Sequence, residues 1–330
     1  MARKAAELTE KIYFFSASSA PLRANFFSAQ SAKSAGNTLF YSMIILENEQ
    51  LRATISPKGA ELQSLFSKTN GIEYMWSGDT AYWGKHSPVL FPIVGSLLNN
   101  IYYYQGKAYH LPRHGFARDK TFTAEQPNAT TAVFTLTADE QTLEIYPFAF
   151  ELKLSYALNG ASISCTYEVR NTGDNDMLFS VGAHPAFAVP LTKDSSYADH
   201  YLQFNAAETL KRWKLVDGLI GEESEILPTT NNILPLTPAL FFEDAIVLKN
   251  MQSNTITLGC NTHAHGLHFT FNDFPFFGIW AAKDAPFVCL EPWCGIADSV
   301  THEQQLKTKE GINELITNEH WQRTWSVECF

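Results

Sequence analysis

The chain has 330 residues, 45% of them hydrophobic and 13% aromatic. That composition excludes disorder for the bulk of the chain and supplies a core that needs neither disulfides nor a metal. The net charge is −10 with no basic cluster, and no apolar run reaches the ~18 residues of a membrane span, so nucleic acid and membranes are not expected as partners.

Residues 1–42 come first in chain order, with five Lys or Arg against two Glu; the remainder carries 19 basic and 32 acidic residues. They lack the apolar segment and small-residue cleavage site of a secretory signal, and Glu7 and Glu10 count against an organelle-targeting peptide. They read as an N-terminal extension, poorly structured or not part of the native domain. From Met43 to Phe330 no repeat, low-complexity tract or linker intervenes, and the stretch reads as a single domain.

Within it β signals recur. Ala132, Val133, Phe134 and Leu136 form one short apolar run. Leu152, Leu154, Tyr156 and Leu158 then alternate, Asn159-Gly160 supplies a hairpin turn, and Ile163, Cys165, Tyr167 and Val169 alternate on the return. A turn on Asn159-Gly160 would pair 158 with 161, hence 156 with 163, 154 with 165 and 152 with 167, apolar against apolar. Ile256 with Leu258, and Leu267 with Phe269 and Phe271, continue the pattern. Phe287 to Leu290 is a continuous apolar run, as in a strand buried on both faces. Asn313 to Gln322 offers helical spacing, although Trp321 to Val327 suits a closing strand equally well. Short strands at intervals of about ten residues with few helices predict an all-β sandwich or barrel.

Five scattered cysteines, an odd number, predict free thiols and a reducing, cytoplasmic setting. His263 and His265 would share a face if they lay on a strand, but no Cys pair or His-Glu-x-x-His spacing supports a metal site. A solvated loop and no metal are expected there. Neither a Gly-rich phosphate loop nor a G-x-S-x-G elbow occurs.

Three segments hold titratable residues in unusual settings. Leu111 to Asp119, bounded by turn residues, contains Arg113, His114 and Arg118. Val181 to Phe187 sets His184 among small and apolar neighbours, with Pro185 biasing it to an extended backbone. Phe287 to Trp293 ends an apolar strand in Glu291, Pro292 and Trp293, where a carboxylate needs a partner or solvent and an indole offers a flat surface of the kind sugars stack on. A histidine that donates and a glutamate that accepts are the minimum for concerted acid/base work near neutrality.

In order, Ile55-Ser56-Pro57-Lys58-Gly59-Ala60-Glu61-Leu62, Leu90-Phe91-Pro92-Ile93-Val94-Gly95, His114-Gly115-Phe116-Ala117-Arg118, Gly182-Ala183-His184-Pro185-Ala186-Phe187 and Glu291-Pro292-Trp293-Cys294-Gly295 resemble the aldose 1-epimerase (galactose mutarotase-like) family, in its broad bacterial branch. The resemblance covers Met43 to the C-terminus. It implies a large antiparallel β-sandwich (supersandwich) that interconverts the α and β anomers of a hexose or related sugar without a cofactor. It also implies that Glu291 takes the proton of the anomeric hydroxyl and that His184 protonates the ring oxygen, the two meeting on opposite sides of the hemiacetal. His114, Arg118, Asp244 and Trp293 are the implied sugar contacts. The implied partner is a small-molecule sugar, and a monomer or homodimer is expected. One departure stands out: Ser96 occupies a position where the family often has Arg. A hexose-phosphate mutarotase and a non-catalytic sugar-binding protein are therefore the rival functions. A glycosidase with paired carboxylates is disfavoured because only Glu291 has a persuasive setting.

Overall fold

The alternating segments pair into two large antiparallel sheets. The computed structural model describes residues 42–330; the expectation for the N-terminal extension falls, apart from Ser42, outside the described residues. The nine-stranded sheet has the order Ile233–Pro235, His200–Phe204, Thr255–Cys260, Leu267–Thr270, His320–Cys329, Ser162–Asn171, Phe150–Asn159, Thr131–Thr137, Thr123–Asn128. The seven-stranded sheet runs Val181–Gly182, Phe287–Cys294, Phe276–Trp280, Ile246–Lys249, Lys211–Val216, Leu219–Ile226, and Ala186–Ala188 also pairs with Phe287–Cys294. A six-residue α-helix, Glu140–Ile145, starts at a capping box on Asp139. The architecture is the expected all-β sandwich.

Period-two alternation divides the seven-stranded sheet between two environments. Ile246, Leu248, Phe277, Ile279, Val288 and Leu290 join the large core shared with the nine-stranded sheet. There Phe271 and Phe277 pack with ring centroids 4.3 Å apart, and Phe269 meets Phe277 edge-on at 6.2 Å. Val247, Phe276 and Trp293 belong to a second, smaller cluster with Leu90, Ile220 and Ile296 on the opposite face. That second face carries the candidate site.

Two local expectations need correction. The hairpin forms on the predicted strands, but Asn159 pairs with Ser162, so 158 faces 163, 156 faces 165, 154 faces 167 and 152 faces 169. The turn residues are Gly160 and Ala161, with Gly160 at φ 56° in the first central position, where a II′ turn places its glycine. A slip of two residues keeps every side chain on its face, so burial alone could not distinguish the two registers. Asn313–Leu315 and His320–Cys329 are strands, not a helix. The former pairs with Met177–Phe179 and the start of the latter with Ser162–Asn171, and these ladder hydrogen bonds outweigh helical spacing.

Phe287–Cys294 is buried at all eight positions and runs four residues past the predicted apolar stretch, so Glu291 lies inside the strand and not at its end. Pro292 lacks an N–H and would normally be confined to an edge or a bulge. Here the neighbouring strand is itself interrupted, at Ala183-His184-Pro185, between Val181–Gly182 and Ala186–Ala188. Ala183 N–H donates to the Pro292 carbonyl (3.0 Å) and Leu290 N–H to the Pro185 carbonyl (3.1 Å), closing the ladder around the gap.

Candidate active site

That gap brings His184 against Glu291. His184 Nε2 lies 3.4 Å from Glu291 Oε2, and the side chains are only 10% and 3% exposed. The sequence expectation of the two on opposite sides of a sugar needs revision. Glu291 from its strand and His184 from the interruption beside it reach the same cavity wall, in direct contact. The imidazole stacks on Trp83 (4.9 Å, 26°) and meets the edges of Trp280 (5.6 Å) and His114 (5.8 Å).

Burial holds His184 near a pKa of about 3, with lesser contributions from Arg113 and Arg118. Burial also raises Glu291 well above the usual carboxylate range, a shift that Arg113 opposes. Both directions favour a neutral pair holding one proton. Moving that proton from the carboxyl to the imidazole gives carboxylate and imidazolium without changing the proton count, and such a pair titrates as a unit.

His114 sits in a tight turn at φ 68°, followed by Gly115 at φ 70°. A Cβ on Gly115 would collide with the Phe91 carbonyl, which explains glycine after this histidine. His114 N–H donates to the Gly95 carbonyl (2.9 Å), and Gly95 N–H returns a bond to His114 Nδ1 (3.1 Å). The Leu90–Gly95 and His114–Arg118 segments thus position each other. Arg113 Nε also lies 3.2 Å from His114 Nε2. A neutral imidazole accepts at only one nitrogen, so the two donors compete. Burial, then the neighbouring His184 and Arg113, hold His114 well below the ordinary histidine range.

The other expected residues line the same cavity of about 360 Å³, at the small end of the ~300–1,000 Å³ range of ligand pockets. Arg118 is half-buried and donates from Nη2 to the Arg113 carbonyl (2.8 Å), bracing that loop. Asp244, at φ 78°, accepts from Ala245 N–H (2.8 Å). Its turn is fixed by the buried Arg212, whose Nη2 donates to the carbonyls of Glu243 (3.2 Å) and Asp244 (3.0 Å). Trp293 lies over Gly182 and Gly278, where any Cβ would overlap the indole, so two glycines on adjacent strands seat this ring.

Sequence reasoning missed the aromatic enclosure. Trp83 and Trp280 both line the cavity. Glu61, in the first resembling segment, accepts from the backbone N–H groups of His86 (2.8 Å) and Ser87 (3.2 Å) and so anchors the loop that carries Trp83. The signal for Trp83 was its place in a turn-rich loop; for Trp280, its same-face spacing with Gly278. The position expected to hold Arg is also resolved. A Cβ on Gly218 would lie 3.2 Å from Ser96 Oγ and 3.6 Å from Arg113 Nη1, so the Arg113 guanidinium comes in beside Ser96 over this glycine. No carboxylate among the described residues lies within 4 Å of that guanidinium.

The aldose 1-epimerase family model matches residues 42–312, a span that contains every one of these side chains. The chain belongs to the aldose 1-epimerase family. The chromosomal LacX protein of Lactococcus lactis subsp. lactis is 33% identical over 294 residues, covering 86% of this chain and 98% of that protein. A galactose mutarotase related enzyme from Lactobacillus acidophilus is 34% identical, with a TM-score of 0.84 over 88% of this chain and 97% of that one. A galactose mutarotase-like protein from Lactobacillus casei is 33% identical, with a TM-score of 0.83 over 88% of this chain and 100% of that one. These likenesses support a mutarotase-type activity for this aldose 1-epimerase family member. His184, Cys289 and Glu291 also bring ligand atoms within 4.8 Å of one another. Burial raises both this carboxyl and this thiol well above their ordinary ranges, so an ion there would have to displace their protons. All five cysteines are free, and no helix among the described residues is long and apolar enough to cross a membrane.

Proposed function

We propose that this protein interconverts the α and β anomers of a free hexose or related aldose by acid/base-catalysed ring opening, with Glu291 as base and His184 as acid. The observation that carries this is the direct His184–Glu291 contact on the wall of a closed-in, aromatic-lined cavity. The anomeric hydroxyl oxygen and the ring oxygen are bonded to the same carbon, so the groups serving them must be close neighbours. A contact of 3.4 Å supports this; groups on opposite walls would not suit it.

In its imidazolium–carboxylate form, the pair removes the proton from the anomeric hydroxyl through Glu291 and delivers one to the ring oxygen through His184. The bond from the anomeric carbon to the ring oxygen breaks as the aldehyde forms. Rotation about the adjacent carbon–carbon bond presents the other face, and closure reverses both transfers. The proton count of the pair is the same before and after. An acceptor oxygen arriving between Arg113 and His114 would relieve the competition for the imidazole, which favours these two as sugar-hydroxyl contacts. Trp83, Trp280 and Trp293 supply apolar walls, and Asp244 an acceptor.

A second reading has its own support. Two guanidinium groups, Arg113 and Arg118, line this cavity, so a sugar bearing an anionic substituent suits it despite Ser96. Anomer-resolved NMR exchange on a panel of neutral and phosphorylated aldoses tests both readings. Exchange above the buffer rate for one class identifies the substrate. Saturable binding without faster exchange would replace catalysis with sugar sensing, and neither exchange nor binding would overturn the proposal.

A further inference from the structure

A second cluster of chemistry-bearing side chains lies outside the catalytic cavity. His200 opens the strand His200–Phe204 and is the Cα partner of Cys260, which closes Thr255–Cys260 in the nine-stranded sheet. His263 follows three residues later, in the loop expected from the sequence. One nitrogen of each imidazole and the Cys260 sulfur all lie within 4.8 Å of one another. The sequence offered only the His263/His265 pair; sheet register adds a thiol and a buried imidazole.

The hydrogen bonds around these rings leave the donors needed for a metal. His200 Nδ1 must donate to the Ser196 carbonyl at 2.9 Å, which leaves the lone pair on Nε2. The Nε2 partner is a single long contact from Leu191 N–H, at 3.4 Å. His263 Nδ1 accepts a backbone N–H from His265 at 3.2 Å, so its proton is on Nε2, beside Ser195 Oγ at 3.3 Å. His200 is thus oriented through Nδ1, with its Nε2 lone pair in a long 3.4 Å contact, and His263 through its Nε2–H, with its Nδ1 lone pair taken by the His265 N–H until an ion replaces it. Metal-bound histidines are held in this way. His200 is fully buried and positioned by the sheet, whereas Cys260 and His263 are half-buried, so an ion can enter from solvent. The His265 ring, centred 5.7 Å from that of His263, or a water can complete four-coordination.

We propose that His200, Cys260 and His263 form a binding site for a borderline divalent transition metal ion, zinc being the best match to two imidazoles and one thiolate. Its role is a clip joining the start of one strand to the loop after its neighbour. The site is separate from the proposed catalytic pair, so it stands or falls independently of the mutarotase reading.

The test is a cobalt(II) titration of the full chain under reducing conditions, followed by displacement with zinc. One cobalt per chain should bind, with a near-ultraviolet thiolate-to-cobalt band and visible bands of tetrahedral geometry, and zinc should abolish both. Cys260→Ser should remove the thiolate band. His263→Asn, which leaves the thiol in place, should weaken affinity at least about tenfold. Absence of a thiolate band in the parent protein overturns the proposal. So does a band that persists in Cys260→Ser, which would point to Cys289, or an affinity unchanged in His263→Asn.

Discussion

Replacing Glu291 by Gln separates the proposed chemistry from the architecture. Glu291 is buried and inside a strand buried at every position, and Gln fills nearly the same volume and keeps one hydrogen-bonding oxygen. It removes a group whose ionised form burial strongly disfavours, so folding stability should hold or rise. Exchange should nevertheless fall, because an amide cannot take the anomeric proton. Positioned general acid/base groups contribute about 10²–10⁴ in rate, equivalent to about 3–5 kcal/mol of barrier. The assay is anomer exchange by saturation-transfer NMR or polarimetry at saturating sugar, with the melting temperature measured on the same sample. Full exchange in Glu291→Gln would refute the base assignment. A large fall in both rate and melting temperature would show that the residue acts through structure instead.

Three further outcomes follow from the same geometry. The singly protonated pair is the competent form, and burial depresses the histidine while raising the glutamate. Exchange should therefore show a plateau between an acidic and an alkaline limb. It should fall in acid only below the ordinary histidine range, as a second proton is gained, and in alkali above the ordinary carboxylate range, as the shared proton is lost; a single acidic limb at the ordinary histidine value of about 6.5 would contradict it. Gly278→Ala places a methyl group against the Trp293 indole and should destabilise the fold by about 1–3 kcal/mol in urea titrations while raising KM; an unchanged midpoint would show that the ring has room to move. Lys309 and Asp298 form a fully buried ion pair at 2.8 Å, and Asp298 Oδ2 also accepts from Leu98 N–H at 2.9 Å. Lys309→Met removes the ammonium and leaves the buried carboxylate with only His302 (3.2 Å) and the Leu98 N–H, and should cost about 3–5 kcal/mol by the same titration, whereas a loss below about 1 kcal/mol would mean that His302 or solvent compensates the charge.

Local pattern in the sequence determined the strands, their inward faces and the all-β class, because burial on one face of a pleated strand imposes a period of two. Motif order, by resemblance, singled out His184, Glu291 and His114. Partnership was decided only by tertiary structure. The two-residue slip in the hairpin left every face unchanged, so turn geometry had to choose the register. The helical spacing in Asn313–Gln322 gave way to ladder bonds with Met177–Phe179 and Ser162–Asn171, far earlier in the chain. The interruption at His184 became meaningful only where Pro292 faced it, and the approach of Arg113 to Ser96 over Gly218 could be seen only in the folded chain. His200 met Cys260 through strand order alone. A short window of sequence records which way a side chain points, whereas what it points at depends on segments that the sheets bring alongside from far along the chain.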